Sequence, residues 1–185
     1  ARVPMRMRMR RCLITVMLLG LPLVPVSAQG VPLSVRSEVG VGLYSAQAPY
    51  EGGLAAVARL GVEFQVRASL ALALDAHLLG SATSADFYVV NSRPLPNTVG
   101  ASASLVSALG SHRQYRVDVG AGAYHVASRA NAPGGRGSGV HVGATALFRQ
   151  RTHVALTFGV RAMLLPSVSG SRVLCVPASL GIVVR

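Results

Sequence analysis

Apolar and polar residues alternate along most of this chain, from about residue 33 to its end. Around residue 120, apolar side chains stand at every second position, and polar or glycine residues fill the positions between them. The apolar set is Val117, Val119, Ala121 and Ala123, and the other set is Arg116, Asp118, Gly120, Gly122 and Tyr124. A period of two predicts a β-strand with an apolar medium on one face and a polar medium on the other.

The alternation recurs in eight segments of roughly ten residues each, joined alternately by long and short connections. The segments are Leu33–Tyr44, Leu54–Gln65, Ser69–Leu79, Val99–Leu109, Tyr115–Val126, Val140–Phe148, Val154–Ala162 and Leu174–Val184. The longest connection runs from Gly80 to Thr98, and another long one, Ala127–Gly139, has the composition of a flexible loop. This pattern predicts an all-β fold, an eight-stranded antiparallel up-and-down transmembrane β-barrel.

The polar faces of these strands carry charged side chains that would point into the barrel. An eight-stranded barrel has room inside for side chains but not for a wide channel. Buried charges require partners, so we expect a paired network, with glycines on the same face leaving space for arginines. The predicted members are Arg36, Glu38, Arg59, Glu63, Asp75, His77, Arg116, Asp118, Tyr124, His141 and Arg161.

The first 28 residues have the pattern of a secretory signal peptide. Five arginines precede the apolar stretch Cys12–Val26, and Val26-Ser27-Ala28 is a small-residue cleavage site. The apolar stretch is short for a membrane-spanning helix and contains Gly20 and two prolines. We therefore predict a signal peptide at 1–28 and one barrel domain at 29–185, with a retained N-terminal anchor as the alternative.

The charge of the chain narrows the choice of partners. All 18 basic residues are arginines, and the predicted mature chain keeps 13 of them against six acids, a net charge of +7. Such charge suits nucleic acid or the phosphates of a glycolipid surface. The chain has no basic run or nucleic-acid motif, so nucleic acid is not an expected partner. Cys12 and Cys175 are the two cysteines, and loss of the first leaves no internal disulfide.

The signal sequence, the eight alternating segments and the terminal strand Val173–Val184 resemble the small outer-membrane β-barrel proteins of the OmpA/OmpX type. The resemblance covers nearly the whole mature chain and is architectural. It implies residence in the bacterial outer membrane, contact with the outer-membrane assembly machinery, a monomeric state, and a structural or surface-interaction role. Two features depart from that family: the chain ends Val183-Val184-Arg185 without an aromatic residue, and it contains no Trp.

Several residues in the predicted outer connections are candidates for surface contacts. Phe87 and Tyr88 belong to an apolar stretch in the longest connection, which suits adhesion or a hairpin that extends above the membrane. Arginine guanidinium groups bind phosphates well, so lipopolysaccharide is an expected partner for these loops, although a solvated role is the more common one for a loop arginine. The arginines in question are Arg93, Arg129, Arg136 and Arg172.

Two other functions stay open at this point. A secreted lipocalin-like barrel would turn the Leu/Val face inward around a small apolar ligand. A lipid A-modifying membrane enzyme would need, for example, a His-x-Ser pair on one strand face, and none of the five histidines has Ser two positions later. We expect no catalytic residues and no cofactor. His77, His141 and Asp75 could meet around a metal, but a hydrogen-bond network is the expected use.

Overall fold

The computed structural model describes residues 33–46, 52–81, 97–110, 114–127, 134–151, 153–166 and 172–185. These residues form eight strands, and the predicted signal peptide at 1–28 lies outside them. The strands are β1 (Leu33–Ala46), β2 (Gly52–Arg67), β3 (Leu70–Ser81), β4 (Thr98–Leu109), β5 (Tyr115–Val126), β6 (Gly135–Arg151), β7 (Val154–Pro166) and β8 (Arg172–Val184). No helix in these ranges is long and apolar enough to cross a membrane.

Each strand pairs antiparallel with its neighbours in sequence, and β1 pairs with β8, which closes the sheet into a barrel. Paired residues can be followed around the barrel from Val35 in β1 until they return to β1 at Ser45, a stagger of ten residues. The positions passed on the way are Val62, Leu74, Ala103, Ala121, Val140, Leu164 and Leu174. The closed sheet leaves no backbone edge among these strands.

The stagger fixes the size of the barrel. With eight strands, a rise of about 3.3 Å per residue and a strand spacing of about 4.8 Å, a stagger of ten corresponds to a tilt of about 40° and a backbone radius of about 8 Å. A barrel of that radius is filled by its own side chains. A tilted strand of 12 residues, the length of β3, then spans roughly 30 Å along the axis, enough to cross the apolar part of a membrane.

The two faces of the sheet have opposite chemistry. Outward side chains are apolar and exposed, as at Val41 (60%), Leu43 (67%) and Leu180 (64%). The charged and polar face is inside, where His77 and Asp75 are almost fully buried. This is the reverse of the arrangement that a lipocalin-like ligand barrel requires, so the Leu/Val face does not line a ligand cavity.

The connections differ at the two ends of the barrel. Residues 68–69, 110–114 and 152–153 join strands at one end, which we call the short-turn end, and β1 begins and β8 finishes there. Residues 47–51, 82–97, 127–134 and 167–171 join strands at the other, the long-loop end. At the short-turn end, Gly110 has a φ of 85°, a conformation that favours glycine.

Candidate functional site

Two of the interior ion pairs connect neighbouring parts of β1, β2 and β3. Arg36 binds Asp75 through two hydrogen bonds: Nε donates to Oδ1 at 2.8 Å, and Nη2 donates to Oδ2. Arg59 donates from Nη2 to Oε1 of Glu38, its direct partner across β1 and β2. Ser179 adds a hydrogen bond to the other oxygen of the Glu38 carboxylate at 3.2 Å. Each charge in this half of the interior is therefore neutralised locally.

The other two ion pairs complete the set of four arginines and four carboxylates. Nη1 of Arg116 donates to both oxygens of Glu63, at 2.9 and 2.7 Å. Nη2 of Arg161 donates to Oδ1 of Asp118 at 2.7 Å. A separation of 3.8 Å between Nη1 of Arg36 and Oε2 of Glu63 joins the first pair to the neighbouring one. Because attraction between buried charges offsets their desolvation only in good geometry, this pairing is what allows the polar face to be buried.

Two histidines extend the network across the barrel. Nε2 of His141 lies 3.1 Å from Oγ of Ser104 and 3.4 Å from Oδ2 of Asp118. The Ser104 hydroxyl in turn lies 3.5 Å from Oδ2 of Asp75. Nε2 of His77 lies 2.7 Å from Oγ of Ser102. A continuous series of polar contacts thus runs from Arg116 on β5 through the side chains of β1, β2, β3, β4 and β6 to Arg161 on β7.

Interior side chains that interact often lie two strands apart, with a glycine on the strand between them. We call these the glycine-bridged pairs: Arg36 and Asp75 across Gly61, His77 and Tyr124 across Gly100, Ser104 and His141 across Gly120, and Asp118 and Arg161 across Gly143. A Cβ at Gly61 would overlap the Asp75 carboxylate. A Cβ at Gly143 would lie 2.7 Å from Oδ1 of Asp118. The glycine therefore gives the two neighbours the space in which they meet.

The interior at the long-loop end is apolar rather than charged. A cluster of buried side chains there, which we call the apolar plug, closes the barrel above the ion pairs. Its members are Tyr44, Ala55, Val57, Leu79, Tyr124, Met163, Leu165, Val173 and Cys175. The rings of Tyr124 and His77 are 5.8 Å apart, so Tyr124 lies at the boundary between the plug and the charged network. Apolar side chains rather than charges therefore fill the interior at this end.

A small cavity of about 20 Å³ remains beneath the plug, with Glu38, Arg59, His77, Arg161 and Met163 in its wall. That volume suits about one water molecule. Within the described ranges, Nε and Nη1 of Arg59 and Nε of Arg161 have no hydrogen-bond acceptor. A water in the cavity would accept hydrogen bonds from these donors. The cavity is far smaller than an ordinary small-molecule site, which has a volume of roughly 300 Å³ or more.

The interior contains serine, histidine and aspartate close together, so its catalytic capacity can be judged from geometry. In a Ser-His-Asp triad, the serine and the aspartate contact different nitrogens of the imidazole. Here Ser104 and Asp118 both face Nε2 of His141, and all three side chains are buried within the barrel. The rings of His141 and His77 are 6.0 Å apart, yet the described residues contain no group of three potential metal ligands. The arrangement suits a structural network.

Comparison with solved structures identifies the fold. Neisserial surface protein A matches with a TM-score of 0.64 and 14% identity, over 84% of this chain and 99% of that one. This protein has the fold of a small outer-membrane β-barrel. Also similar are the N-terminal barrel domain of Pseudomonas aeruginosa OprF (TM-score 0.44, 15% identity, 82% and 96% coverage) and the attachment invasion locus protein Ail of Yersinia pestis (0.46, 10%, 81% and 97%). No protein-family model matches the sequence, and no curated protein matches it.

The outer-membrane barrel fold agrees with the predicted resemblance, strand number and location. Closed barrels with an apolar exterior span the bacterial outer membrane, with short turns on the periplasmic side and long loops outside. The structure places all eleven predicted network residues on the interior face, ten of them buried and Arg116 partly buried. Tyr124 is the one whose main surroundings are apolar.

Of the six residues predicted to make outer contacts in this outer-membrane barrel, two lie in the described ranges. Phe87, Tyr88, Arg93 and Arg129 lie outside the described residues. Arg136 and Arg172 are exposed at the long-loop end, but each belongs to a strand: Arg136 pairs with His125, and Arg172 pairs with Pro166. The expected loop Ala127–Gly139 is therefore shorter, because β6 continues the sheet from Gly135.

The apolar plug of this outer-membrane barrel was not predicted from the alternation. Its signal is present in the sequence as a loss of alternation at the strand ends near the long loops. Ala162 to Leu165 and Leu78-Leu79 are apolar at consecutive positions, so both faces of the strand are apolar there. A run of this kind indicates that the inward face packs against apolar neighbours instead of charges.

Proposed function

We propose that this outer-membrane barrel is a monomeric, non-enzymatic surface protein whose long-loop end binds the phosphates of lipopolysaccharide. One observation carries the proposal: the exterior faces lipid and the interior is filled by ion pairs and the apolar plug, so the rims are what remains for interactions. The strands themselves are substrates of the outer-membrane assembly machinery, the other proposed partner.

Two arginines at the long-loop rim support the choice of lipopolysaccharide. Arg136 and Arg172 are both exposed, at the starts of β6 and β8. The end of β7 lies between them, since Arg172 pairs with Pro166 and a Cβ at Gly137 would lie 2.6 Å from Cβ of Pro166. Two strand spacings put their backbones roughly 10 Å apart. A pair of guanidinium groups at this depth can reach phosphates of the outer leaflet.

The proposal is tested by the thermal stability of the refolded barrel with and without purified lipopolysaccharide. Heat-modifiable mobility on gels reports the folded fraction at each temperature. We expect lipopolysaccharide to raise the midpoint by roughly 5 °C, because a ligand that binds only the folded state stabilises it. The double variant Arg136→Gln/Arg172→Gln should lose most of that shift.

Arg67→Gln is the matched control, since this exposed arginine lies at the short-turn end. It should keep the full shift. Equal shifts in the double variant and the unmodified protein would overturn the proposed site, and no shift in any of the three would overturn lipopolysaccharide as the ligand.

The non-enzymatic part of the proposal has its own assay. The serine, histidine and aspartate groups that come together lie inside the barrel, where an acyl chain cannot reach them. Incubation of the refolded protein with lipid A should release no fatty acid above the background. Release that the variant Ser104→Ala abolishes would contradict this and would make the interior histidine network catalytic.

A further inference from the structure

Among the described residues, the short-turn end carries exposed basic side chains and no exposed Asp or Glu side chain. Arg67, His153 and Arg185 are exposed there, and Arg149 and Arg151 occupy the end of β6. We call these five residues the basic rim. The six acids of the chain lie elsewhere: four are buried inside the barrel, and Glu51 and Asp86 belong to long connections at the opposite end. No Asp or Glu side chain of the described residues therefore lies beside the arginines of the rim.

The backbone that carries the basic rim is held in place. The side-chain Nε2 of Gln65 donates to the carbonyls of Arg67 and Ala68, at 3.1 and 3.0 Å, which fixes the turn between β2 and β3. The backbone N–H of Arg185 donates to the carbonyl of His153 at 2.9 Å. These contacts present two of the arginines from ordered backbone at the ends of β2 and β8.

A second feature lies just above the basic rim, on the outer face of the barrel. Phe64, Tyr115 and Phe148 point outward within a few residues of the short turns and are 37%, 59% and 52% exposed. The other described tyrosines, Tyr44 and Tyr124, are buried inside at the long-loop end. Phe158, 44% exposed, also points outward but lies further from the short turn, on β7. Among the residues placed by the structure, the outward Phe and Tyr side chains are thus confined to the half of the barrel nearest the short turns, and we call Phe64, Tyr115 and Phe148 the aromatic belt.

Aromatic side chains on a membrane protein favour the level of the lipid headgroups, and arginines just beyond them reach the phosphates. We propose that the basic rim and its aromatic belt form a binding surface for anionic phospholipid headgroups of the periplasmic leaflet. The belt faces sideways into the membrane, which favours a lipid over a soluble polymer or protein below the turns. The inference depends on the barrel lying in a membrane and is independent of lipopolysaccharide binding at the other end.

Because the chain contains no Trp, an introduced Trp is the only indole fluorophore in the protein. Phe148→Trp places a single fluorophore in the belt, next to Arg149 in the sequence, and Leu43→Trp places one on the outer face near the long-loop end. Each protein is refolded into phosphatidylcholine vesicles with a minor fraction of phosphatidylglycerol, and either lipid is supplied in brominated form. Quenching by each brominated lipid then reports which headgroup adjoins the fluorophore.

We expect about twofold more quenching by brominated phosphatidylglycerol at residue 148 than random mixing gives, and a smaller excess at residue 43, because only two described arginines lie at that end. Raising NaCl from about 0.05 to about 0.5 M should abolish the excess, because the attraction is electrostatic. On the Phe148→Trp background, Arg67→Gln, Arg149→Gln, Arg151→Gln and Arg185→Gln together should also abolish it. The matched pair Arg136→Gln and Arg172→Gln should leave it unchanged.

The inference is overturned if quenching at residue 148 matches random mixing of the two lipids. It is also overturned if excess quenching by brominated phosphatidylglycerol survives both high salt and removal of the four rim arginines. The salt series uses the reporter with an intact rim, so it decides the question even where the fourfold variant fails to refold. Lipopolysaccharide is absent from these vesicles. The result is therefore separate from the test of the long-loop rim.

Discussion

At the scale of single residues, the interior charges are held by geometry that extends beyond each ion pair. Arg36 has its partner on β3, two strands away, and reaches it because Gly61 on β2 has no side chain. The same arrangement recurs at Gly143. The pairing therefore depends on the charged residues and on the glycines between them.

Removal of one charge from such a pair should be costly. Arg36→Met leaves Asp75 buried without its main partner, and we expect a loss of about 3–5 kcal/mol in the free energy of unfolding. Urea unfolding of the protein in lipid vesicles measures this. The double variant Arg36→Met/Asp75→Leu should recover most of the loss, whereas Arg67→Gln at the exposed rim should change stability by less than about 0.5 kcal/mol. A fully stable single variant would show that the pair is not needed.

A glycine-bridged pair can also be tested without removing a charge. Gly61→Ala puts a methyl group where the Asp75 carboxylate lies, and overpacking of this kind should cost about 1–3 kcal/mol in the same measurement. Gly135→Ala is the matched control, because a Cβ there meets nothing within 4 Å. If the two variants are equally stable, the space at Gly61 is not what the pair requires.

At the scale of strands, the alternation predicted which side chains face lipid and which face the interior. It could not predict the partners within the interior, because these depend on the register: Arg36 meets Asp75 only through the stagger between β1, β2 and β3. Several strands also extend beyond their predicted limits. Alternation arises where one face of a strand meets lipid. Beyond that region, the first residues of β6, from Gly135, are held by backbone pairing with β5.

The depth of a residue along its strand should set the cost of a charge on the lipid face. Leu74 is near the middle of β3, and Leu72 is nearer the short turns, level with its β2 partner Phe64. Leu74→Arg should cost about 2–4 kcal/mol in the free energy of unfolding in vesicles, and Leu72→Arg less. Equal costs, or a larger cost at Leu72, would contradict the position of the membrane inferred from the aromatic belt.

At the scale of the whole molecule, the barrel is closed to solutes. Ion pairs cross its interior, the apolar plug fills the long-loop end, and the cavity between them is about 20 Å³. A hydrated ion would need the charged network and the plug to move apart together. The filled interior distinguishes this barrel from porins, which have more strands and an aqueous channel.

The filled interior predicts the behaviour of the protein in a planar lipid bilayer under voltage. Reconstituted protein should give no discrete conductance steps, while a wide porin inserted in the same apparatus should give large ones. Insertion of the barrel is verified beforehand by the mobility shift of boiled against unboiled samples. Reproducible steps from the inserted protein would show that the plug opens.

Closure of the barrel also has a consequence for the order of folding. Seven of the eight strand pairings join neighbours in sequence, but the pairing of β1 with β8 joins residues such as Val35 and Val184 at opposite ends of the described chain. That pairing has the largest entropic cost of loop closure, and it cannot form until the last strand has been synthesised and has reached the barrel. A chain interrupted before Arg172 would keep two open edges, on β1 and β7, each able to capture another strand. Addition of the final 13-residue strand therefore pairs both open edges and closes the barrel within one chain.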